Sequence, residues 1–269
     1  MKKEPFNDVI PNSDPWSRLR AATKARIGLG RSGHAMPLEA VLDFQHAHAS
    51  ARDAVHRPLD VDALSRDLHP HEVIRVRSAA PDRRTYLTRP DLGRTLGDET
   101  ATGLDAAGRG FDIAFVIGDG LSATAVQMHA AALVKACAER LPGFRIAPVV
   151  IATQARVALG DDVGERLDAR LVAMLIGERP GLSVAESLGV YLTFGPRRGR
   201  RDDERNCISN IHGKGGLSYV DAANKLVWLA TAALRLGLTG VQLKDDMGAG
   251  TTLDQTTAQA ELEAAAKTE

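Results

Sequence analysis

The chain has 269 residues, 44% hydrophobic and 25% charged, the composition of an ordinary globular protein with room for one large domain or a medium one with an appendage. Its 34 basic and 34 acidic residues cancel, which argues against nucleic acid or an anionic membrane as the main partner and leaves little charge repulsion against association. Two cysteines without a CxxC spacing read as a reduced, intracellular protein, and no apolar stretch is long enough to span a bilayer, so the expected location is the cytoplasm.

Residues 1–15, polar and broken by Pro5 and Pro11, read as a flexible arm and not as a signal peptide. A helical pattern runs from Trp16 to Ile27 and stops in Gly28-Leu29-Gly30-Arg31-Ser32-Gly33. Pro37 opens a second helix that reaches about Val55, with Leu38, Val41, Leu42 and Phe44 on one face. These two patterns make 16–60 a small helical segment. His69-Pro70-His71 and the stretch from Pro81 to Arg84 read as connectors.

The texture then changes. Four short apolar runs, Phe111 to Ile117, Arg145 to Ala152, Leu171 to Ile176 and Val190 to Phe194, alternate with helical patterns at Ser122 to Arg140 and around Asp161 to Leu167. Near-continuous apolar strands between helices predict an α/β domain over 61–246, with a mostly parallel sheet covered on both faces. The last helix spans Tyr219 to Leu236, with Ser218 and Asp221 as a cap-like pair and Gly237 as its stop. Beyond Lys244 no bulky core residues remain, and 247–269 is expected to be a disordered tail.

Open α/β sheets bind ligands beyond the carboxyl ends of their strands. Three segments are expected there: Gly118-Asp119-Gly120-Leu121-Ser122, Gly177-Glu178-Arg179-Pro180-Gly181, and the long loop after Phe194. The earlier Gly28 to Gly33 cluster matches G-x-G-x-x-G by letters. However, Lys24 and Arg26 interrupt what should be a buried strand before it, and Pro37 puts the helix start beyond the last glycine. A nicotinamide site is therefore the weaker reading. His46 and His48 point to different helix faces, and His71-Glu72 lacks the second histidine of a zinc motif. Asp119 reads as a turn residue and Ser122 as a helix N-cap, since no G-x-S-x-G elbow surrounds them.

The Gly177 to Gly181 turn places a carboxylate and a guanidinium directly after a buried strand. A strand-ending turn with a local ion pair and a ligand contact both fit it. The charged run from Arg197 to Arg205 flows into Asn206-Cys207-Ile208-Ser209-Asn210-Ile211-His212-Gly213. Polar groups interleave there with small apolar ones, which suits a cofactor with amide edges and a large apolar face.

These segments, taken in order, resemble the small (light) subunit of ethanolamine ammonia-lyase. The likeness covers most of Arg18 to Leu243. It rests on Tyr86 to Arg94, Gly118 to Ser122, Gly177 to Leu182, Glu186-Ser187-Leu188 and Cys207 to His212. The resemblance implies a Rossmann-like domain with a small helical lid over 16–60, bound to a large TIM-barrel subunit that carries the substrate. It implies adenosylcobalamin between the two subunits, and conversion of ethanolamine to acetaldehyde and ammonia by radical elimination. It maps cofactor contacts onto Val157, Glu178 and Cys207 and places no catalytic or metal-ligating side chain on this chain. Asp67-Leu68-His69 starts like the corrinoid signature Asp-x-His-x-x-Gly but has Glu72 in place of the glycine, so dimethylbenzimidazole is expected to stay on cobalt. Some relatives carry a leading extension for microcompartment targeting. Its absence here argues against encapsulation. The rival readings are a nicotinamide-dependent oxidoreductase and a non-catalytic assembly subunit.

Overall fold

The structure, a computed structural model, describes residues 14–100 and 102–245. The expected arm up to residue 13 and the expected tail 247–269 lie outside the described residues. The chain divides into two compact units, one up to Ala49 and the other from Ser50.

The first unit holds α1 (Ser17–Ala22), an irregular glycine loop, and most of α2 (Leu38–His56). α1 is shorter than its sequence pattern suggests. Thr23 takes extended backbone and its Oγ1 accepts from the Ala25 amide, a local alternative to continuing the helix. Among the described residues no strand precedes the glycine cluster, whose Gly28, Gly30 and Gly33 all have positive φ, and the helix after it starts only at Leu38. The strand-turn-helix context of a dinucleotide fingerprint is thus missing.

The second unit is built on α3 (Val61–Asp67), β1 (Val73–Arg77), α4 (Arg83–Thr88), α5 (Thr102–Asp105), β2 (Ile113–Gly118), α6 (Ala123–Ala138), β3 (Val149–Thr153), α7 (Leu159–Arg166), β4 (Leu171–Gly177), β5 (Leu188–Phe194), β6 (Asn206–Ile211) and α8 (Tyr219–Leu236). The strands form one sheet in the order β1-β3-β2-β4-β5-β6. β1, β3, β2 and β4 run parallel. β5 is antiparallel to β4, and β6 is antiparallel to β5. The architecture is the expected α/β one, a mostly parallel sheet with helices on both faces.

Alternation along the strands sorts the core into two layers. Ile113, Phe115, Ile117, Leu171, Ala173, Leu175, Val190 and Ile208 face one way, where they pack with α6 and α8. Ala114, Val116, Val150, Val172, Met174 and Ile176 face the other way, where they meet Leu159 and Val163 of α7. β2 and β4 are buried along their whole length, and this is why they read as continuous apolar runs. α8 follows its sequence signals: Ser218 accepts from the Asp221 amide and Gly237 ends the helix at φ 67°.

Two edge strands depart from the sequence reading. β1, Val-Ile-Arg-Val-Arg, carries two arginines that a solvent-facing edge tolerates. β6 turns the expected long loop after Phe194 into a strand. Since β5 runs antiparallel, Phe194 lies beside Leu171, so the chain leaves β5 at the amino end of β4 and not at a carboxyl end. β6 then returns toward the carboxyl end of β4, where Ile211 pairs with Leu188. Among the described residues no helix is long and apolar enough to cross a membrane.

Candidate functional site

The chain passes from β2 through α6 to β3, then through α7 back across β2 to β4. The loops after β2 and β3 therefore diverge to opposite faces, which is where such sheets usually open a ligand crevice. Here Asp119 closes it. Its carboxylate is buried and accepts from the Ala155 amide at 2.9 Å, the Gln154 amide at 3.0 Å and Arg83 Nη1 at 3.3 Å. Burial pushes the Asp119 carboxyl above the usual range, and the Ala155 amide, the Arg83 charge and the Gln154 amide pull against it. The sequence reading of Asp119 as a turn residue missed this link, because Gln154 and Ala155 lie on another loop.

Behind the link, Tyr86 is fully buried and donates to the Ala155 carbonyl at 3.1 Å. The guanidinium carbons of Arg83 and Arg156 stand 4.6 and 4.4 Å from its ring centroid. The β3–α7 loop is thereby fixed from both sides. Val157, in that loop, is half-buried against the layer that contains Met174 and Ile176. Ser122 caps α6, accepting from the Ala125 amide and donating to the Ala185 carbonyl, so it is committed to structure.

At the end of β4 the two turns interlock backbone to backbone. The Leu121 amide donates to the Gly177 carbonyl at 2.9 Å, and a Cβ at Gly177 would stand 2.1 Å from the Ser122 carbonyl oxygen. Glu178 follows directly. Its amide donates to the Ser187 carbonyl at 3.0 Å, and its Oε2 accepts from Ser187 Oγ at 2.5 Å and from the Asn210 amide at 3.4 Å. Arg179 is exposed, and the local Glu178–Arg179 ion pair that the sequence allowed is replaced by these bonds to Ser187 and Asn210.

Cys207 is exposed on β6, opposite Tyr191 of β5. Because Ile208 faces the α8 layer, Cys207 and Ser209 project to the other side, the side of Val157, Met174 and Tyr191. α7 lies over β2 and β4 on that side, while Cys207 and Ser209 are open to solvent. The Tyr191 phenol is pushed up to about 12, first by burial and then by the neighbouring Cys207 and the Glu178 charge. Burial also raises the Cys207 thiol, the Tyr191 hydroxyl acts in the opposite direction, and the Glu178 charge adds to the rise. The raised pKa keeps the Cys207 thiol protonated at neutral pH, which argues against a thiolate nucleophile.

Glu178 and Cys207 thus come together around Tyr191, and Val157 is placed on the same face. Tyr191 and Gly189 escaped the sequence reading, and Ser187 entered it only inside a segment of family resemblance without a role of its own, since only cross-strand neighbours show their place. Tyr191 and Cys207, paired across β5 and β6, form an open shelf with Cys207 and Ser209 exposed, and the anchored Glu178 carboxylate stands at its edge over Gly189. A cavity of about 610 Å³ lies apart from it, lined by Arg77, Ser78, Leu96, Asp98, Glu99 and Arg198, and mixes charges of both signs. His69 lies ahead of β1, at the amino ends of the parallel strands and so at the opposite end of the sheet from Glu178.

These features define a class: an α/β chain whose two central loops are joined through Asp119 and whose antiparallel edge carries an open shelf. Residues 13–244 match the family described as ethanolamine ammonia-lyase light chain. The ethanolamine ammonia-lyase small subunit of Azotobacter vinelandii is 52% identical over 250 residues, covering 90% of this chain and 92% of that protein. Its counterpart in Xanthomonas campestris pv. campestris is 51% identical over 247 residues, covering 88% and 90%. That of Pseudomonas fluorescens is 48% identical over 254 residues, covering 91% of each chain. The chain belongs to the ethanolamine ammonia-lyase light-chain family, a family of lyases.

Proposed function

We propose that this chain holds one side of adenosylcobalamin for a large TIM-barrel subunit, and that the pair converts ethanolamine to acetaldehyde and ammonia by radical elimination in the cytoplasm. The observation that carries this reading is the oriented Glu178 carboxylate at the edge of the open Val157–Tyr191–Cys207 shelf. A corrinoid is a broad apolar disc rimmed by amide groups. It needs a flat apolar surface and acceptors at the periphery, and an open shelf leaves its second side to another protein.

The residues present fit that group. Glu178 would accept hydrogen bonds from peripheral amide N–H donors, Val157 and Tyr191 would pack against apolar surface, and Cys207 would fill space beside them. When bound, the cofactor supplies a cobalt–carbon bond whose homolysis starts the radical chemistry. This chain contributes binding, orientation and exclusion of water, and the acid–base groups that meet the substrate belong to the large subunit. His69, at the far end of the sheet, is no candidate to replace dimethylbenzimidazole on cobalt.

The test is Glu178→Ala in the assembled complex with the large subunit. A weaker affinity for adenosylcobalamin with assembly intact supports the reading. An unchanged affinity favours the second one, a non-catalytic assembly subunit.

A further inference from the structure

Glu178 is held more firmly than closure of its hairpin requires. The Glu178 amide and Ser187 carbonyl already close the β4–β5 connection at 3.0 Å. Yet the Ser187 hydroxyl turns back to donate to Glu178 Oε2 at 2.5 Å. Fixing an unbranched glutamate side chain costs rotamer entropy, so a turn alone would leave it free.

Two further features bear on the same carboxylate. The pairing of β5 with β6 slips between Leu188–Ile211 and Val190–Ile208, where the single Gly189 on β5 faces Ser209 and Asn210 on β6. The extra residue is accommodated at Asn210, whose φ of 62° lies in the left-handed region that asparagine tolerates. This bulge turns the Asn210 amide to Glu178 Oε2 at 3.4 Å. The second feature is Gly189. A Cβ there would stand 2.8 Å from Glu178 Oε1 and 3.3 Å from its Cγ, so the side chain lies across β5 where only glycine leaves the space. Gly189 shares its face of β5 with Tyr191, which puts the carboxylate over the shelf.

We infer that Ser187, Gly189 and the Asn210 bulge are a positioning set that fixes Oε2 and lays the Glu178 carboxylate flat, so that Oε1 is presented to an amide N–H donor of the corrinoid. The inference rests on the reading of Glu178 as a cofactor contact. Preorganisation of this kind spares the ligand the cost of ordering its acceptor.

The experiment titrates adenosylcobalamin into the assembled complex and follows the visible spectrum, for Ser187→Ala, Ser187→Thr, Glu178→Gln and the Ser187→Ala/Glu178→Gln double variant. Ser187→Ala should weaken affinity roughly tenfold, the loss of one hydrogen bond to a charged group. Ser187→Thr, which keeps the hydroxyl, should recover most of it. In the Glu178→Gln background Ser187→Ala should add little, because Ser187 acts through Glu178. A general structural role would instead give losses that add. Additive losses, or wild-type affinity in Ser187→Ala while Glu178→Gln binds weakly, overturn the positioning role and leave Glu178 as a contact. Wild-type affinity in Glu178→Ala, which has no acceptor left, removes the contact itself. If Ser187→Ala does not assemble, Gly189→Ala gives the same readout, since its Cβ displaces the carboxylate while Ser187 stays. Its expected loss is again roughly tenfold, and unchanged affinity overturns the inference.

Discussion

Arg205 grips Asp161 through two parallel hydrogen bonds of 2.7 Å, with both side chains 2% exposed, and so ties the start of β6 to α7. Thr193 Oγ1 and the Arg200 carbonyl take further guanidinium protons, at 2.9 and 3.0 Å. Burial works against the Arg205 charge, but its hydrogen bonds to Asp161 and the charge of that residue outweigh it and hold the pKa above the ordinary value. Removing one partner strands the other without compensation. Asp161→Ala should lower stability by about 3–5 kcal/mol, whereas replacing both residues with apolar ones of similar size should cost far less. Urea midpoints of the two variants check this, and equal midpoints would contradict it. Cys207 lies two residues beyond Arg205, so the single variant should also disturb the shelf.

Gly177 is fixed by its neighbours rather than by its backbone angles. A Cβ there would meet the Ser122 carbonyl carbon at 2.6 Å and the Asp119 carbonyl oxygen at 2.7 Å, and backbone cannot swing away as a side chain can. Gly177→Ala should cost about 3 kcal/mol, the upper end of ordinary overpacking. A melting temperature equal to that of the parent chain would show that the two turns can part. Gly181→Ala, whose nearest neighbour would be the Val184 carbonyl oxygen at 3.4 Å, is the mild comparison.

Sequence exposes an element when its residues answer to one environment. β2 and β4 were legible because both faces are buried. α8 was legible to the residue because Ser218 and Gly237 act on their own helix. β1 and β6 were hidden: arginine, asparagine and serine on their open sides break the apolar run, and edge position is a property of the whole sheet. The site divides in the same way. Glu178 announced itself by its turn, but the fold gives its orientation through Ser187, Gly189 and Asn210, later in the chain. Val157 has no local signature and entered only through family resemblance, whereas Cys207 lies in a segment whose mixed composition already suited a cofactor, and the resemblance picked it out from that segment.

His129 gives the fold a pH dependence with a definite sign. It is buried in α6, with Nε2 3.2 Å from the Glu186 carbonyl and Nδ1 2.7 Å from the Tyr219 hydroxyl. A carbonyl only accepts, so Nε2 carries the proton and Nδ1 accepts from Tyr219 in the neutral ring. Burial lowers its pKa from 6.5, and the nearby His212 lowers it further, against the carbonyl and charge of Glu186. The unfolded chain therefore takes up this proton first. Stability from His129 is complete above about pH 6.5 and falls as pH drops through that value toward the lower folded pKa. Denaturant midpoints measured from pH 7.5 to 5 should decline, and His129→Gln should flatten the slope. An unchanged slope in that variant would assign the pH dependence to other groups.

Asp119 decides whether the central crevice stays closed. The carboxylate offers lone pairs to two amides at once, those of Gln154 and Ala155, and holds Gln154 at a φ of 55°. Asp119→Asn keeps the size but turns an NH₂ group toward one of those donors, so one buried amide loses its acceptor. The cost should be about 1–3 kcal/mol. Its local signature is sharper than the global one. Exchange of the Gln154 and Ala155 amides should accelerate, while the β4 amides of Val172 to Leu175, which belong to the sheet ladder, keep their protection relative to global unfolding. Freeing this loop also frees Val157, three residues further on. In the complex the same variant should weaken adenosylcobalamin binding without altering Glu178. Loss of protection spread evenly over the sheet would mean that Asp119 supports the whole fold and does not act as the latch of one loop.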